Sequence, residues 1–235
     1  MKKKERIELS VILPCRNEEL SIKDSILTIK EVFSTYHING EIIVSDSSCD
    51  NSPQIAQRLC TTVIKHDEKG YGRACIYGIQ HATGKYIFIA DPDSSYDFRE
   101  IPRFLKFLRR NYDLVIGNRL IGNIDKGAMP WTHRFIGNPF FSLCSKFLFN
   151  LEVGDIHCGM RGIKKEAFMK LGIKSNGWEF AQDMIIQAKI HKQHVKELPI
   201  NYYKRKGKSK MNSFPDGFKQ VFIMFHRAFF YRFRF

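Results

Sequence analysis

No two cysteines in this chain are spaced CxxC, and the six present (Cys15, Cys49, Cys60, Cys75, Cys144, Cys158) show no zinc-ligand spacing. Long apolar runs are missing as well. Nothing approaches the ~18 consecutive apolar residues of a membrane-spanning helix, and no signal-peptide pattern opens the chain. Free thiols in a reducing cytosol are therefore expected. Two phosphate-loop signatures are also absent. Gly70-Tyr71-Gly72 lacks the third glycine of the dinucleotide fingerprint, and there is no Walker-type lysine loop. NAD chemistry and P-loop phosphoryl transfer are thereby poor readings. Acidic residues are scarce at one end: residues 201–235 hold a single acid, Asp216, against nine Lys and Arg.

What is present is the composition of a folded enzyme-sized domain. The 235 residues, 43% hydrophobic and 26% charged, exclude disorder, collagen and a coiled coil. A core can form without disulfide or zinc staples. The 38 basic against 24 acidic side chains leave a net charge of +14, which points to an anionic partner: nucleic acid, an acidic membrane surface or a phosphorylated ligand. More than half of that excess sits in the last 35 residues, and a smaller cluster (Lys2, Lys3, Lys4, Arg6) opens the chain.

Up to about residue 120, short β-rich runs alternate with helical patterns. Ile7–Leu13, Glu41–Ser45, Thr62–Lys65, Lys85–Ala90 and Asp113–Gly117 read as strands. The stretch from Ser21, Pro53–Leu59, Gly72–Ala82 and Phe98–Arg110 read as helices, with Ser21 and Asp24 resembling a capping box. Such alternation predicts an α/β fold with a mainly parallel sheet flanked by helices. Phe135–Val153 is apolar but broken by Gly137, Asn138 and Pro139. Its pattern favours a core helix over one lying at a membrane interface. Asp216–Phe235 has the composition of a basic amphipathic helix on an anionic surface. We therefore expect a catalytic domain over 1–212 and a membrane-interface segment over 213–235, and RAFFYRFRF reads as an abrupt stop, as of a chain that naturally continues.

Ligands of a parallel sheet bind beyond the carboxyl ends of its strands, and the polar residues gather there. Pro14-Cys15-Arg16-Asn17-Glu18-Glu19 follows the first strand, Asp46 to Ser52 the second, and Asp91-Pro92-Asp93 the fourth. Two carboxylates spaced i, i+2 after a buried strand can converge on one hard divalent cation, with diphosphate oxygens and water completing its shell. Taken alone, D-x-D is as often a turn or a helix cap.

The blocks SVILPCRNEE, VSDSSCDNS and KGYGRACIYGIQHATGKYIFIADPDSSYDFREIP, followed by DLVIGNRL, GAMPWTHRFIGNP, GDIHCGMRGI, WEFAQDMIIQA and YYKRKGKSKM, resemble a family 2 glycosyltransferase of GT-A fold. The later blocks are similar to the branch that includes dolichol-phosphate mannose synthase and polyprenyl-phosphate glucosyltransferases. The resemblance implies an inverting transfer of sugar from a UDP- or GDP-sugar to a polyprenyl phosphate, with Mg2+ or Mn2+, on the cytoplasmic face of a membrane. It assigns Pro14, Asn17, Glu18 and Lys69 to the nucleotide pocket, Asp46 to the base or ribose, and Asp91 and Asp93 to the metal. It further assigns Arg119, Arg134, Arg205, Ser209 and Lys210 to donor and acceptor phosphates. His157 and Arg161 are candidates to frame the acceptor side, with a buried structural role an equal reading of His157. Ser95 stands where this branch often places a glutamine metal ligand.

A phosphate monoester is already anionic near neutral pH. Such a nucleophile needs positioning and charge neutralisation more than it needs a base. A hydroxyl acceptor on a polysaccharide or protein is the alternative, and it would require a carboxylate base. Asp183 and Glu179, four apart on one helix face, are the candidates, a solvated helix face being the plainer reading of the pair. A nucleic-acid module would account for the charge but leaves the strand-end carboxylates unexplained.

Overall fold

The computed structural model describes residues 6–207 and 213–232, with side chains in the second segment described at 217 and 220–228. Ser209 and Lys210 lie outside the described residues. In chain order the elements are β1 (Leu9–Cys15), α1 (Ile22–Thr35), β2 (Gly40–Asp46), α2 (Ser52–Arg58), β3 (Thr62–Lys65), α3 (Tyr71–His81) and β4 (Tyr86–Ile89). Then come α4 (Ile101–Arg109), β5 (Leu114–Asn118), α5 (Asn138–Phe149), β6 (Arg161–Lys164), α6 (Lys165–Leu171), α7 (Phe180–Ile190), β7 (Val195–Pro199) and α8 (Ser213–Arg232). A short 3-10 turn, Phe98–Glu100, leads into α4, and a π-helical turn, His133–Gly137, leads into α5.

The strands form one sheet in the order β3-β2-β1-β4-β6-β5-β7. Every neighbouring pair is parallel except those made by β6, which runs antiparallel to both β4 and β5. β1, β4 and β5 are buried along their whole length, as expected of strands covered on both faces. Core clusters lie on either side: α1 and α4 bring Ile22, Ile26, Ile29, Phe104 and Leu108 to one face, and α3 and α7 bring Cys75, Ile79, Met184 and Ile185 to the other. Pro14 sits inside β1 rather than ending it. Ser21 precedes α1 without capping it by side chain; its hydroxyl donates to the Glu18 carbonyl instead, at 3.4 Å.

The broken apolar segment is divided between two environments. Phe149, Leu151 and Val153 enter the core, whereas Phe140, Leu143 and Phe147 are exposed. α8 belongs to the same packed unit, because it buries Met224 and Ala228 against the α3–α7 side of the core.

This topology positions the site. Parallel β1, β2, β4, β5 and β7 all end at one edge of the sheet, and the antiparallel β6 begins there. The loops after the parallel strands and the 154–160 segment entering β6 are therefore brought together.

Candidate functional site

At the ends of β1 and β2 a network of short polar bonds shapes a crevice. Asn17 adopts a left-handed backbone (φ 56°). Its N–H donates to Ser48 Oγ at 2.8 Å, and its Oδ1 accepts from the Cys49 N–H at 2.8 Å. The Glu18 N–H donates to Ser52 Oγ at 2.8 Å. Asp46 is buried, with Oδ1 accepting from Ser48 Oγ at 2.6 Å, while its Oδ2 has no hydrogen-bond partner among the described residues. A buried acceptor left open is costly unless a ligand completes it. Pro14 pairs with Ser45 across the β1–β2 ladder. Lys69 is exposed on the loop before α3.

Next to this crevice, beyond β4, β5 and β7, lies a cavity of about 730 Å3. Asp91, Arg119, His157, Lys204 and Arg205 line it, together with apolar Met129, Ile136 and Phe141. Asp93 is buried beneath, its carboxylate accepting from the N–H and hydroxyl of Ser95 and paired with Arg205. The segment after β7 delivers Arg205, held over the acidic turn by Tyr203 N–H to the Ser95 carbonyl at 3.0 Å and Lys206 N–H to the Asp93 carbonyl at 2.8 Å. α1 braces the same turn through Ser25 Oγ, which donates to the Pro92 carbonyl at 3.2 Å.

Asp91 is the carboxylate that faces the cavity. Burial, and then the negative charge of Asp93, push its pKa up to about 7, against the opposing pull of Arg205. Glu18 adds to the same field, which links crevice and cavity electrostatically. Two adjacent carboxylates of this kind, all-oxygen donors, fit Mg2+ or Mn2+. Among the described residues no group of three His, Cys, Asp or Glu could hold an ion, so the rest of a shell would come from diphosphate oxygens and water. A cation shared by both carboxylates requires Arg205 to leave Asp93. Ser95, at the position of the glutamine ligand, instead orients Asp93.

Arg119 is nearly buried and forms a two-point ion pair with Asp155, Nε–Oδ2 at 2.7 Å and Nη2–Oδ1 at 2.8 Å. It lies over the Tyr202 ring at 5.1 Å. Asp155 holds its pKa well above the usual guanidinium value, outweighing burial, and Arg119 in turn holds the Asp155 carboxyl low. Glu197 on β7 fixes the turn that carries Asp155 by accepting the Gly154 and Asp155 N–H groups, both at 3.0 Å. Arg119 thus meets the cavity with its charge already balanced. The Tyr96 hydroxyl accepts from the Gly159 N–H at 2.8 Å. His157 is held neutral, its pKa pushed down to about 4 chiefly by burial, with its Nε2 unpartnered among the described residues and its ring edge-on to Phe141 at 4.8 Å.

Three residues expected at the site do not line this cavity. Arg161 is buried and satisfies the carbonyls of Cys158 (2.7 Å), Ile156 (2.8 Å) and Ala181. Asp183 does not reach the cavity. It is fully buried, its Oδ2 accepting from Ser175 Oγ at 2.6 Å and Arg227 at 3.1 Å, so it ties α7 to α8. Arg134 is exposed and stacks on Phe135 at 5.2 Å, whereas its neighbour His133 lines the cavity. The contributions of Tyr71, Tyr96, Asp155, Trp178, Glu197 and Tyr202 were not anticipated. Only Asp155, an acid between glycine and His157 in GDIHCGMR, carried a usable signal.

Comparison with known proteins agrees with this geometry. Residues 10–172 match the family described as "Glycosyl transferase family 2", and the chain belongs to that family. It is 38% identical over 221 residues to the low-salt glycan biosynthesis hexosyltransferase Agl6 of Haloferax volcanii, covering 94% of this chain and 54% of the relative. The chain therefore spans about half the length of that relative. A dolichyl-phosphate hexose transferase of the same organism is 28% identical over 212 residues, covering 89% of each. Among solved structures, glucosyl-3-phosphoglycerate synthase from Mycobacterium tuberculosis, in complex with Mn2+, UDP and glucosyl-3-phosphoglycerate, superposes with a TM-score of 0.73 at 17% identity, covering 95% of this chain and 80% of that one. At that identity the likeness shows the fold, which is of the GT-A type.

Proposed function

We propose that this chain transfers a hexose, with inversion, from a nucleoside-diphosphate sugar to a polyprenyl phosphate at a membrane surface. The observation that carries the reading is the two-sided character of the 730 Å3 cavity. Charged Asp91, Lys204 and Arg205 stand in the same space as apolar Met129, Ile136 and Phe141, which suits a phosphate joined to a hydrocarbon chain. Similarity to the dolichyl-phosphate hexose transferase of Haloferax volcanii supports the same acceptor.

The nucleotide would occupy the crevice of Pro14, Asn17, Glu18 and Asp46, with the open Asp46 Oδ2 as its polar anchor. Mg2+ or Mn2+ held by Asp91 with Asp93 would neutralise the diphosphate as a leaving group. Arg205 and Lys204 hold the acceptor phosphate against the anomeric carbon, so that an oxygen already anionic attacks from the face opposite the leaving group. Arg119 and Asp155 keep the cavity wall rigid and electrically balanced. Of the two base candidates for a hydroxyl acceptor, neither lines the cavity: Asp183 is engaged with Ser175 and Arg227, and Glu179 accepts from the Gly177 N–H at 3.1 Å.

The membrane surface in this proposal is the outer face of the α5 region. Ile136, Phe140, Leu143 and Phe147 follow helical spacing and are all exposed, Phe147 at 80%. Trp131 and Phe135 extend the patch, and the basic C-terminal segment suits anionic headgroups. Among the described residues no helix is long and apolar enough to cross a membrane. The attachment proposed here is to the cytoplasmic face, through α5 and the basic C-terminal segment.

The test offers UDP- or GDP-hexose with Mg2+ or Mn2+ to the protein, together with vesicles carrying either polyprenyl phosphate or the corresponding polyprenol. Sugar entering the lipid phase only with the phosphate is the expected result. Transfer to polyprenol, or hydrolysis alone, overturns the acceptor.

A further inference from the structure

The Gly70-Tyr71-Gly72 turn, which fails as a phosphate loop, is built for another contact. Gly72 N–H donates to the Gly177 carbonyl at 3.1 Å and Arg73 N–H to the Asn176 carbonyl at 2.9 Å. A Cβ on Gly70 would lie 2.3 Å from the Asn176 oxygen, and one on Gly72 would lie 2.3 Å from the Ser175 oxygen. Side chains at either position would therefore push the 175–178 segment away, and only glycine permits the approach. The approach brings Trp178 flat onto Tyr71, centroids 5.1 Å apart and planes within 14°. Phe180 braces Tyr71 edge-on at 6.3 Å, a geometry favoured between aromatic rings.

This stacked pair lies in the wall of the cavity and adjoins its acidic end. A point at the Cβ position of Gly159 is 3.0 Å from Asp91 Oδ2 and 3.3 Å from the Tyr71 hydroxyl. The two oxygens are thus separated by no more than the span of a single pyranose ring. A hexose joined to a diphosphate at Asp91 would therefore have the Tyr71–Trp178 pair within its reach, in the wall of the same cavity. The apolar face of a pyranose matches an indole held rigid from behind, because little side-chain freedom is left to lose.

We propose that Trp178, positioned by Tyr71 and the Gly70–Gly72 turn, is the platform on which the hexose ring of the donor stacks. The assignment deepens the proposed function and rests on its donor site, but it concerns the sugar and not the nucleotide.

Trp131 and Trp178 are the two tryptophans of the chain, so Trp131→Phe leaves Trp178 as the sole indole reporter. This variant is titrated with UDP-glucose and GDP-mannose, then with UDP and GDP, in Mg2+, following both indole emission and the thermal midpoint. Stabilisation by sugar nucleotide and free nucleotide alike, with the emission change confined to the sugar nucleotide, is expected. In Trp178→Ala the dissociation constant for the sugar nucleotide should rise about tenfold and that for the free nucleotide stay within about twofold. Trp178→Phe should restore most of the loss, with far-UV circular dichroism confirming that both variants fold. Equal weakening of both ligands, equal emission changes with both, or an emission change with polyprenyl phosphate vesicles alone would overturn the platform while leaving the donor reading intact. Stabilisation by none of the four nucleotides would overturn the donor reading, and the platform with it.

Discussion

At the residue scale, the site is a contest among buried charges. Burial, and then the charge of Asp93, hold the Asp91 carboxyl high, and Arg205 relieves the pair. Asp91→Ala should abolish the Mg2+- or Mn2+-dependent part of the thermal shift given by a nucleotide sugar; a shift identical to that of the unmodified protein would remove Asp91 from the metal. Arg205→Ala has a less obvious consequence. It frees Asp93 of its internal cation, so Mn2+ binding without nucleotide should tighten several-fold, measured by calorimetry, even as transfer slows. Weaker Mn2+ binding would show that Arg205 organises the carboxylates rather than competing for them.

His157 gives a pH signature. Its folded pKa, near 4, lies below the ordinary histidine value. Between about 6.5 and 4 the unfolded chain takes up a proton that the folded chain refuses, so this group's contribution to stability is present above that window and is lost as pH falls through it. His157→Gln should therefore show a shallower decline in urea midpoint than the unmodified protein from pH 7 to 4. Parallel curves would mean that His157 titrates normally.

At the scale of elements, α8 is fastened to α7 by a charge. Asp183 is fully buried and one of its oxygens has no partner among the described residues, so Arg227, about a third exposed, is its principal counter-charge there. Arg227→Ala should cost ~1–3 kcal/mol, discounted for that exposure, and lower the thermal midpoint by several degrees. Adding Asp183→Asn should recover part of the loss; no recovery would place the cost in packing rather than in the stranded carboxylate. Because Gly217 and Gln220 of α8 line the cavity, and Gln182 donates to the Gln220 carbonyl at 3.3 Å, loosening α8 also removes a wall of the proposed acceptor space.

For the whole molecule, the proposed membrane face and the cavity share an element, since Ile136 is both exposed and a cavity-lining residue. An acceptor drawn from a bilayer under α5 would enter without leaving the surface. Phe147→Glu, at the most exposed apolar position, should reduce flotation with anionic vesicles at least several-fold while leaving the nucleotide-sugar thermal shift unchanged. Unchanged flotation would take α5 out of the proposed membrane face.

The alternation of strands and helices up to β5, and the clustering of Asn17, Asp46 and Asp91 at strand ends, were legible in the sequence. Both depend on local periodicity and on the rule that parallel strands present their carboxyl ends to ligands. The family blocks likewise named Asp91, Asp93 and Arg205, which the fold brings next to one another. What the chain alone did not determine was partnership. Four residues of β6 carry no period long enough to read, yet their antiparallel entry brings Asp155, His157 and Gly159 opposite Asp91. Arg161 and Asp183 have the composition of catalytic groups, and only packing reveals that one is spent on backbone carbonyls and the other on an interhelical clasp. The glycines at 70 and 72 read as a defective phosphate loop until the 175–178 segment arrives against them. Local propensity is written in neighbours along the chain, whereas the assignment of a buried charge depends on which distant group arrives to neutralise it, and that is settled only when the sheet closes.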